Sequence, residues 1–369
     1  MYFGWDVAEL DSLPRRRFTR SADALPLGVA VVGYGYWGPN LARNVAESPD
    51  MHLQALCERD PVRGTAFAQR FPGVAVREEL DHVLEDPGVD AVLVATPPAT
   101  HHALVKRALE AGKHVLVEKP LATTSADAED LITIADRQDL VLMPGHTFVY
   151  SPAVNTVRSL ITEGVIGEVY FVTSARMNLG KYQRDGVVTD LAPHDLSILM
   201  YWLDQPVVQV TCTACSVFQE GVPETAFMTL TFASGTTANI QVSWLAPRKV
   251  RQMVVVGSKR MVQYDDTASD EPIRVYDRGM DLEWDAPANF GEYQLTYRSG
   301  DVIIPRIDAH EPLALELGDF ARAIRTGSTP RSNAALGLEI VSVLEASAAS
   351  MRRNGAPIVI GPARDKVAA

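Results

Sequence analysis

The chain has 369 residues, 47% of them hydrophobic, and a formal net charge of -12 at neutral pH. That is enough apolar material for a large core and, at about 150 residues per domain, for two domains. The acidic balance argues against a general nucleic-acid binder, whose affinity comes from neutralising phosphates. No membrane partner is expected either, because the longest apolar candidate, Leu196 to Leu203, is far short of the ~18 residues of a bilayer span.

Residues 1–26 carry Arg15, Arg16 and Arg17 beside Asp6, Glu9 and Asp11, with no central apolar stretch. They read as an N-terminal arm rather than a secretory leader. The first strand, Leu27–Val32, runs directly into Gly33-Tyr34-Gly35-Tyr36-Trp37-Gly38, and a helix through Leu41 and Val45 follows. Gly33 allows the tight turn, Gly35 lets backbone approach a pyrophosphate, and Gly38 lets the helix pack close to the strand. The helix points its N–H groups and positive dipole end at the phosphates. A second apolar run ends at Glu58, where a carboxylate meets ribose hydroxyls. Its charge repels a 2′-phosphate, so NAD(H) is the expected cofactor. Arg59, immediately after it, keeps NADP(H) as the second option.

Strands follow at Leu53–Glu58, Val74–Val76, Ala91–Ala95, His114–Glu118 and Leu140–Met143, each apolar throughout as strands buried on both faces are. Helical spacing fills Pro61–Arg70, Glu78–Leu84, Thr100–Ala111 and Ser125–Gln138, the last with a serine cap. Strict alternation predicts a doubly wound parallel sheet over 27–145, with ligands outside the carboxyl ends of its strands.

Over 146–369 the pattern changes to an α+β domain with a large open, mainly antiparallel sheet. Strands are expected at Glu168–Met177, Val207–Val217, Ala226–Ala233, Thr237–Trp244, Met253–Gly257, Met261–Tyr264 and Ile273–Tyr276, with a hairpin at Ser234-Gly235. Helices are expected at Pro152–Thr162, Leu191–Leu203, Pro312–Thr326 and Asn333–Arg353, the last after Ser332. One sheet face takes the helices, and the other is left for a partner subunit in a homodimer or homotetramer. Cys212 and Cys215 fall in a strand, where positions i and i+3 face opposite sides, so they cannot share a metal. With Cys57 they read as structural thiols of a reduced, cytoplasmic protein, and no metal site is expected.

Two places could carry chemistry. Lys119 follows the strand His114–Glu118 at the carboxyl edge, where burial beside a nicotinamide would lower its pKa and let it share a proton with a substrate hydroxyl. Asp190 and His194 are four apart on a helix, which Pro193 requires to begin close to Asp190. A carboxylate there can orient the imidazole of a general base; the plain alternatives are an N-cap and a surface histidine. Arg176, Asn178, Lys181, Tyr182 and Arg184 precede this helix. Arg248, Lys249 and Arg251 could contact a diphosphate or form a solvated face.

The segments Gly33–Asn40, Ala95-Thr96-Pro97-Pro98-Ala99-Thr100-His101, Glu118-Lys119-Pro120, Gly145-His146-Thr147-Phe148 and Asp190–Asp195 resemble the Gfo/Idh/MocA oxidoreductases. The resemblance runs from about Leu27 to Ile360. It implies a Rossmann domain followed by an α+β domain whose sheet supports dimers or tetramers. It further implies hydride transfer between a secondary alcohol of a sugar or cyclitol and NAD(P). Within that family the wording is most similar to nucleotide-sugar and aminosugar 3-dehydrogenases, which points to carbon 3 of a nucleotide-linked sugar or aminosugar. An inositol or free-sugar dehydrogenase, or a non-catalytic NAD-sensing regulator of the same fold, is the alternative.

By the same resemblance Lys119, Asp190 and His194 are catalytic, with Asp190 orienting His194, the expected base, and Lys119 the alternative primary proton acceptor. Tyr36, Trp37, Thr96, Pro97, His101, Glu118 and Lys119 join the glycines, Glu58 and Arg59 around the cofactor. His146, Arg176, Asn178 and Tyr182 contact substrate, and Lys181 and Arg184 line the same sugar pocket. Thr189 stands where relatives carry an aromatic residue, and the N-terminal arm has no counterpart in them.

Overall fold

The computed structural model describes residues 25–180, 182, 185–282 and 295–361, so residues 1–24 of the arm, Lys181 and Arg184 lie outside the described residues. The first half alternates strand and helix: β1 (Leu27–Val32), α1 (Gly38–Glu47), β2 (Met51–Cys57), α2 (Pro61–Arg70), β3 (Ala75–Arg77), α3 (Asp81–Leu84), β4 (Ala91–Val94), α4 (His101–Glu110), β5 (His114–Glu118), α5 (Ser125–Arg137) and β6 (Leu142–Gly145). The six strands form one parallel sheet in the order β3-β2-β1-β4-β5-β6. The order reverses between β1 and β4, which opens the ligand crevice at their carboxyl ends. β1, β4 and the middle of β5 are buried throughout or nearly so, as a central parallel strand requires. β2 begins at Met51, two residues before the expected Leu53, and so takes in the exposed His52, with β3 covering only its second half.

Caps explain where the helices start. Asp60 accepts the amides of Val62 and Arg63, and Pro61 fills the first turn of α2. α5 is capped by Thr124, whose hydroxyl accepts the Asp127 amide, rather than by Ser125.

The second half runs α6 (Pro152–Thr162), β7 (Val169–Leu179), α7 (Gly186–Leu203), β8 (Val207–Cys215), β9 (Thr225–Phe232), β10 (Thr237–Ser243), β11 (Leu245–Gly257), β12 (Met261–Asp265), β13 (Ile273–Tyr276), β14 (Gly279–Leu282), β15 (Leu295–Arg298), β16 (Val302–Ile303), α8 (Pro312–Thr326), α9 (Ala334–Arg352) and β17 (Ile358–Val359). Nine of these strands form a sheet in the order β16-β13-β12-β11-β7-β10-β9-β8-β17, antiparallel except where β7 meets β10. β14 and β15 pair separately. β11 begins eight residues before the expected Met253 and breaks register between Leu245 and Val250, where Pro247, Arg248 and Lys249 stand exposed. Those residues hide a strand from any reading by alternation.

α7 begins at Gly186, not beside Asp190, and carries Pro193 inside it. The carbonyl of Pro223 accepts the Val187 amide at 2.9 Å and so caps the first turn from outside. An interior proline removes one helix hydrogen bond and costs about 3 kcal/mol. Burial of Val187, Val188, Ala192, Leu196 and Trp202 offsets it. The cap of α9 is Asn333, whose Oδ1 accepts the Leu336 amide; Ser332 is buried and donates instead to the Pro144 carbonyl.

The two closing helices bind the halves together. Leu313, Leu317 and Phe320 of α8 enter the core of the first sheet with Val29, Leu41 and Phe67. On α9, Val341 joins that sheet's other face while Ile340 and Val343 join the core of the second. By length and apolarity α9, rather than Leu196–Leu203, is the one described helix that could cross a membrane, yet here it packs against α5, α7 and β8.

Candidate active site

The three glycines of the first turn do separable things. Gly33 has φ +93°, and a Cβ on it would stand 2.9 Å from the Ala95 carbonyl. A Cβ on Gly38 would stand 2.2 Å from the Gly33 carbonyl, so α1 reaches the turn only because Gly38 has no side chain. A Cβ on Gly35 meets nothing nearer than Arg63 Nη1 at 3.9 Å, which leaves a cradle open to a ligand. Gly38→Ala is therefore expected to destabilise the fold by about 1–3 kcal/mol through overpacking. Gly35→Ala is expected to leave the melting temperature unchanged and weaken dinucleotide binding by about tenfold or more. Thermal unfolding alongside nucleotide titration separates the two.

Glu58 sits at the end of β2 with its carboxylate already clasped: Oε2 accepts the Tyr34 amide at 2.7 Å and Oε1 the Asp60 amide at 2.9 Å. It thus holds the glycine turn, and each oxygen retains a lone pair for a ribose hydroxyl. Arg59 is exposed. Arg63, which the sequence reading passed over, lies 3.9 Å from Glu58 and beside Gly35. Tyr36 is 85% exposed and stacks on Trp37, whose indole N–H is buried without a partner.

The ends of β4, β5 and β6 supply the second group. Thr96 and Thr100 share a hydroxyl hydrogen bond of 2.7 Å around Pro97. His101, expected at the cofactor, is a brace instead: it is fully buried, with Nδ1 2.7 Å from the Pro120 carbonyl and Nε2 2.9 Å from that of Thr96. The Lys119–Pro120 peptide is cis. His146 is 1% exposed with neither ring nitrogen partnered, and burial followed by the charge of Lys119 pushes its pKa down to about 3.

Lys119 and α7 meet. Nζ donates to the Asp190 carbonyl at 2.6 Å and to Asp190 Oδ1 at 3.3 Å, which uses two of its three N–H positions. Asp190 Oδ2 accepts the indole N–H of Trp244 at 3.1 Å. The carboxylate therefore serves Lys119 and Trp244, and no hydrogen bond among the described residues joins it to His194. The i,i+4 spacing places Asp190 and His194 on one side of α7, but the amine arriving from β5 claims the acid. His194 packs edge-on against Phe148 with ring centroids 5.1 Å apart. Burial first, then the positive charges of Lys119, Arg176 and Arg251, hold it well below the usual histidine pKa.

The remaining expected substrate contacts divide. Arg176 is buried and forked onto Asp195 through Nε (2.9 Å) and Nη2 (3.1 Å), with its plane over Phe148 and Nη1 unpartnered. Asn178 also keeps a buried, unpartnered Oδ1. Tyr182 is committed elsewhere: its hydroxyl donates to Glu224 Oε1 at 2.7 Å and its ring packs on Trp244. Glu224 in turn accepts the amides of Val217, Phe218 and Gln219, which fixes the loop before β9. Arg251 is paired with Asp266.

Trp244 was not foreseen. Its ring lies against Gly180, where a Cβ would stand 2.4 Å away, and Tyr182 packs on it with ring centroids 5.6 Å apart. Trp244→Phe keeps an aromatic ring, though a smaller one, and removes the donor to Asp190. It is expected to lower kcat about tenfold, the worth of one hydrogen bond to a charged group, with KM little changed and the pH–rate profile shifted. A profile that overlays the parent enzyme would reduce Trp244 to packing.

Residues 27–146 match a family profile described as the GFO/IDH/MocA oxidoreductase family with an NAD-binding Rossmann fold, and residues 154–263 match that family's C-terminal domain. The dTDP-3,4-didehydro-2,6-dideoxy-alpha-D-glucose 3-reductase of Saccharopolyspora spinosa is 31% identical over 210 residues, 53% of this chain and 61% of that protein. The scyllo-inositol 2-dehydrogenase (NAD(+)) of Bacillus subtilis is 25% identical over 350 residues, 89% of this chain and 95% of that one. Among solved structures, a protein of gentamicin A biosynthesis in complex with NAD superposes with a TM-score of 0.76 at 26% identity, covering 92% of this chain and 97% of its own. At the higher identities the chain spans about half the length of the curated relatives it matches.

Proposed function

Because this chain belongs to the Gfo/Idh/MocA family of oxidoreductases, we propose that it transfers hydride between a ring hydroxyl of a sugar and a nicotinamide dinucleotide. NAD(H), cradled by Gly33, Gly35 and Gly38 with Glu58 at the ribose, supplies the hydride acceptor when bound. The open face of Gly35 and the unpartnered indole N–H of Trp37 fit such a ligand. The clasped carboxylate of Glu58 favours NAD(H), with Arg59 and Arg63 as the cations that a 2′-phosphate would need.

The observation that carries the reading is the Lys119–Asp190 contact at the carboxyl edge of β5. Lys119 uses its third N–H for the reacting oxygen. When protonated it donates to a ketone being reduced, and as the amine it takes the hydroxyl proton in the oxidative direction. Asp190, tethered by Trp244, fixes the amine and balances its charge. His194, held neutral, serves the same hydroxyl as a hydrogen-bonding group rather than as the primary base, because its acid partner is spent on Lys119. His146 and Asn178, with buried unpartnered atoms, are placed to bind ring hydroxyls.

Resemblance to the Saccharopolyspora spinosa reductase supports a nucleotide-linked sugar handled at carbon 3. Arg248 and Lys249, exposed on the irregular part of β11, suit its diphosphate. The likeness to the inositol dehydrogenase over most of the chain supports cyclitols as the second reading. A screen of NADH formation with dTDP-sugars, UDP-sugars, free aminosugars and inositols decides between them; turnover with none would sink the dehydrogenase reading. The same proposal has a second copy covering the outer face of the large sheet, where Tyr170, Phe171 and Phe227 are exposed.

A further inference from the structure

Two buried carboxyl groups flank the turn that follows β6. Glu118, at the end of β5, lies against Gly145, where a Cβ would stand 3.3 Å from its Cδ and from both oxygens. Glu316 reaches the same turn from α8 and accepts the Thr147 hydroxyl through Oε2 at 2.8 Å. In each carboxyl Oε1 is buried without a hydrogen-bond partner, and His146, between the two contact points, has both ring nitrogens in the same condition. A buried polar atom left unpaired costs about 1–3 kcal/mol, so four in one corner mark a place built for something other than packing.

We infer that Glu118 and Glu316 form a carboxyl pair that distinguishes the two redox states of the dinucleotide, releasing a proton when the positively charged nicotinamide ring docks and not when the neutral, reduced ring does. This rests on the dinucleotide reading above. Two carboxylates in a low-dielectric corner cannot both ionise without a neighbouring cation. Among the groups that face them only Lys119 carries a positive charge, and it does not outweigh burial. Lys119, on the same strand end, is engaged by Asp190. His146 is held neutral, burial pushes the His101 pKa down, and Asp319 on α8 adds a further negative charge. Burial pushes Glu118 up to about 7 despite Lys119, and Glu316 lies well above the carboxylate range because of burial and then the charge of Glu118.

The carboxyl ends of β4 to β6 are where a doubly wound sheet receives its ligand. A ring carrying a formal positive charge there stabilises the Glu118 carboxylate, and the proton leaves to buffer. A neutral ring has no such effect. The proton count balances without any further reactant: protonated Glu118 plus NAD+ gives ionised Glu118, bound NAD+ and one H+.

Titration calorimetry of the full chain with NAD+ and with NADH, at neutral pH in two buffers of different ionisation enthalpy, counts the protons. Release of up to about half a proton per NAD+ and close to none per NADH is expected, with NAD+ affinity rising by up to about tenfold per pH unit below about pH 7 and NADH affinity flat. Glu118→Gln abolishes the release and flattens the NAD+ curve, with its circular dichroism and melting temperature reporting folding. Glu316→Gln keeps the release and leaves the pH of the rise close to the parent's, because Glu316 is still protonated when Glu118 ionises. Equal release with both nucleotides, or unchanged release in Glu118→Gln, overturns the inference and leaves dinucleotide binding intact. Heat from neither nucleotide overturns the dinucleotide reading itself. Should Glu118→Gln fail to fold, the parent protein's NAD+ and NADH titrations still decide.

Discussion

Lys119→Met is expected to lower kcat by about 10²- to 10⁴-fold, the usual worth of a positioned proton-transfer group, while dinucleotide affinity stays within a fewfold of the parent. Both hydrogen bonds of the amine among the described residues go to Asp190, and neither involves the glycine turn. On the proposed mechanism the substitution also removes the one N–H left over for the reacting oxygen, an interaction that would strengthen as charge develops there. A loss confined to KM would mean that Lys119 only binds substrate. Retained turnover would move the proton transfer to His194. Asp190→Asn is the companion variant: it keeps both hydrogen-bonding positions but removes the balancing charge, and a smaller loss is expected.

The second large effect is on acid stability. His146 is fully enclosed and its pKa falls from the ordinary 6.5 to about 3, so the folded protein holds it neutral while the unfolded chain lets it protonate. A depressed pKa of this kind contributes stability above about pH 6.5 and loses it as pH falls toward about 3, up to about 5 kcal/mol at about 1.4 kcal/mol per unit. His194 acts in the same direction. Glu118 acts in the opposite one: its raised pKa favours the fold at low pH, and that contribution is lost as pH rises through about 7. Urea denaturation of the parent and of His146→Gln at pH 7 and pH 4.5 isolates the histidine. Over that interval the parent is expected to lose about 2–3 kcal/mol more than the variant. Equal losses would show that the ring finds a charge partner on protonation.

Helices that open on proline were legible to the residue: α2, α6 and α8 each begin at Pro61, Pro152 or Pro312, because a missing N–H is harmless only there. The same rule misplaced α7. Pro193 lies inside it, and the carbonyl of Pro223, 30 residues further along, supplies the cap that no local pattern announces. The glycine turn, Glu58 and Lys119 were readable because one short segment carries both the geometry and the chemistry. The partner of Asp190 was not, since helical spacing says which residues share a face and nothing about the element that arrives opposite. Trp244 stands just past the end of a strand, where an aromatic residue is ordinary. Glu316 did leave a signal: an acid in the stripe Leu313, Leu317, Phe320, facing the core where only apolar residues belong.

The placement of α8 and α9 bears on how this scaffold could be re-engineered. A cofactor module excised after Gly145 would be stripped of Leu313, Leu317 and Phe320, and the surface around Leu41 and Phe67 would lie bare to water. Any chimera that transplants the first sheet onto another catalytic half must bring residues 312–352 along with it, because the tail of the chain is part of the nucleotide half's own wall.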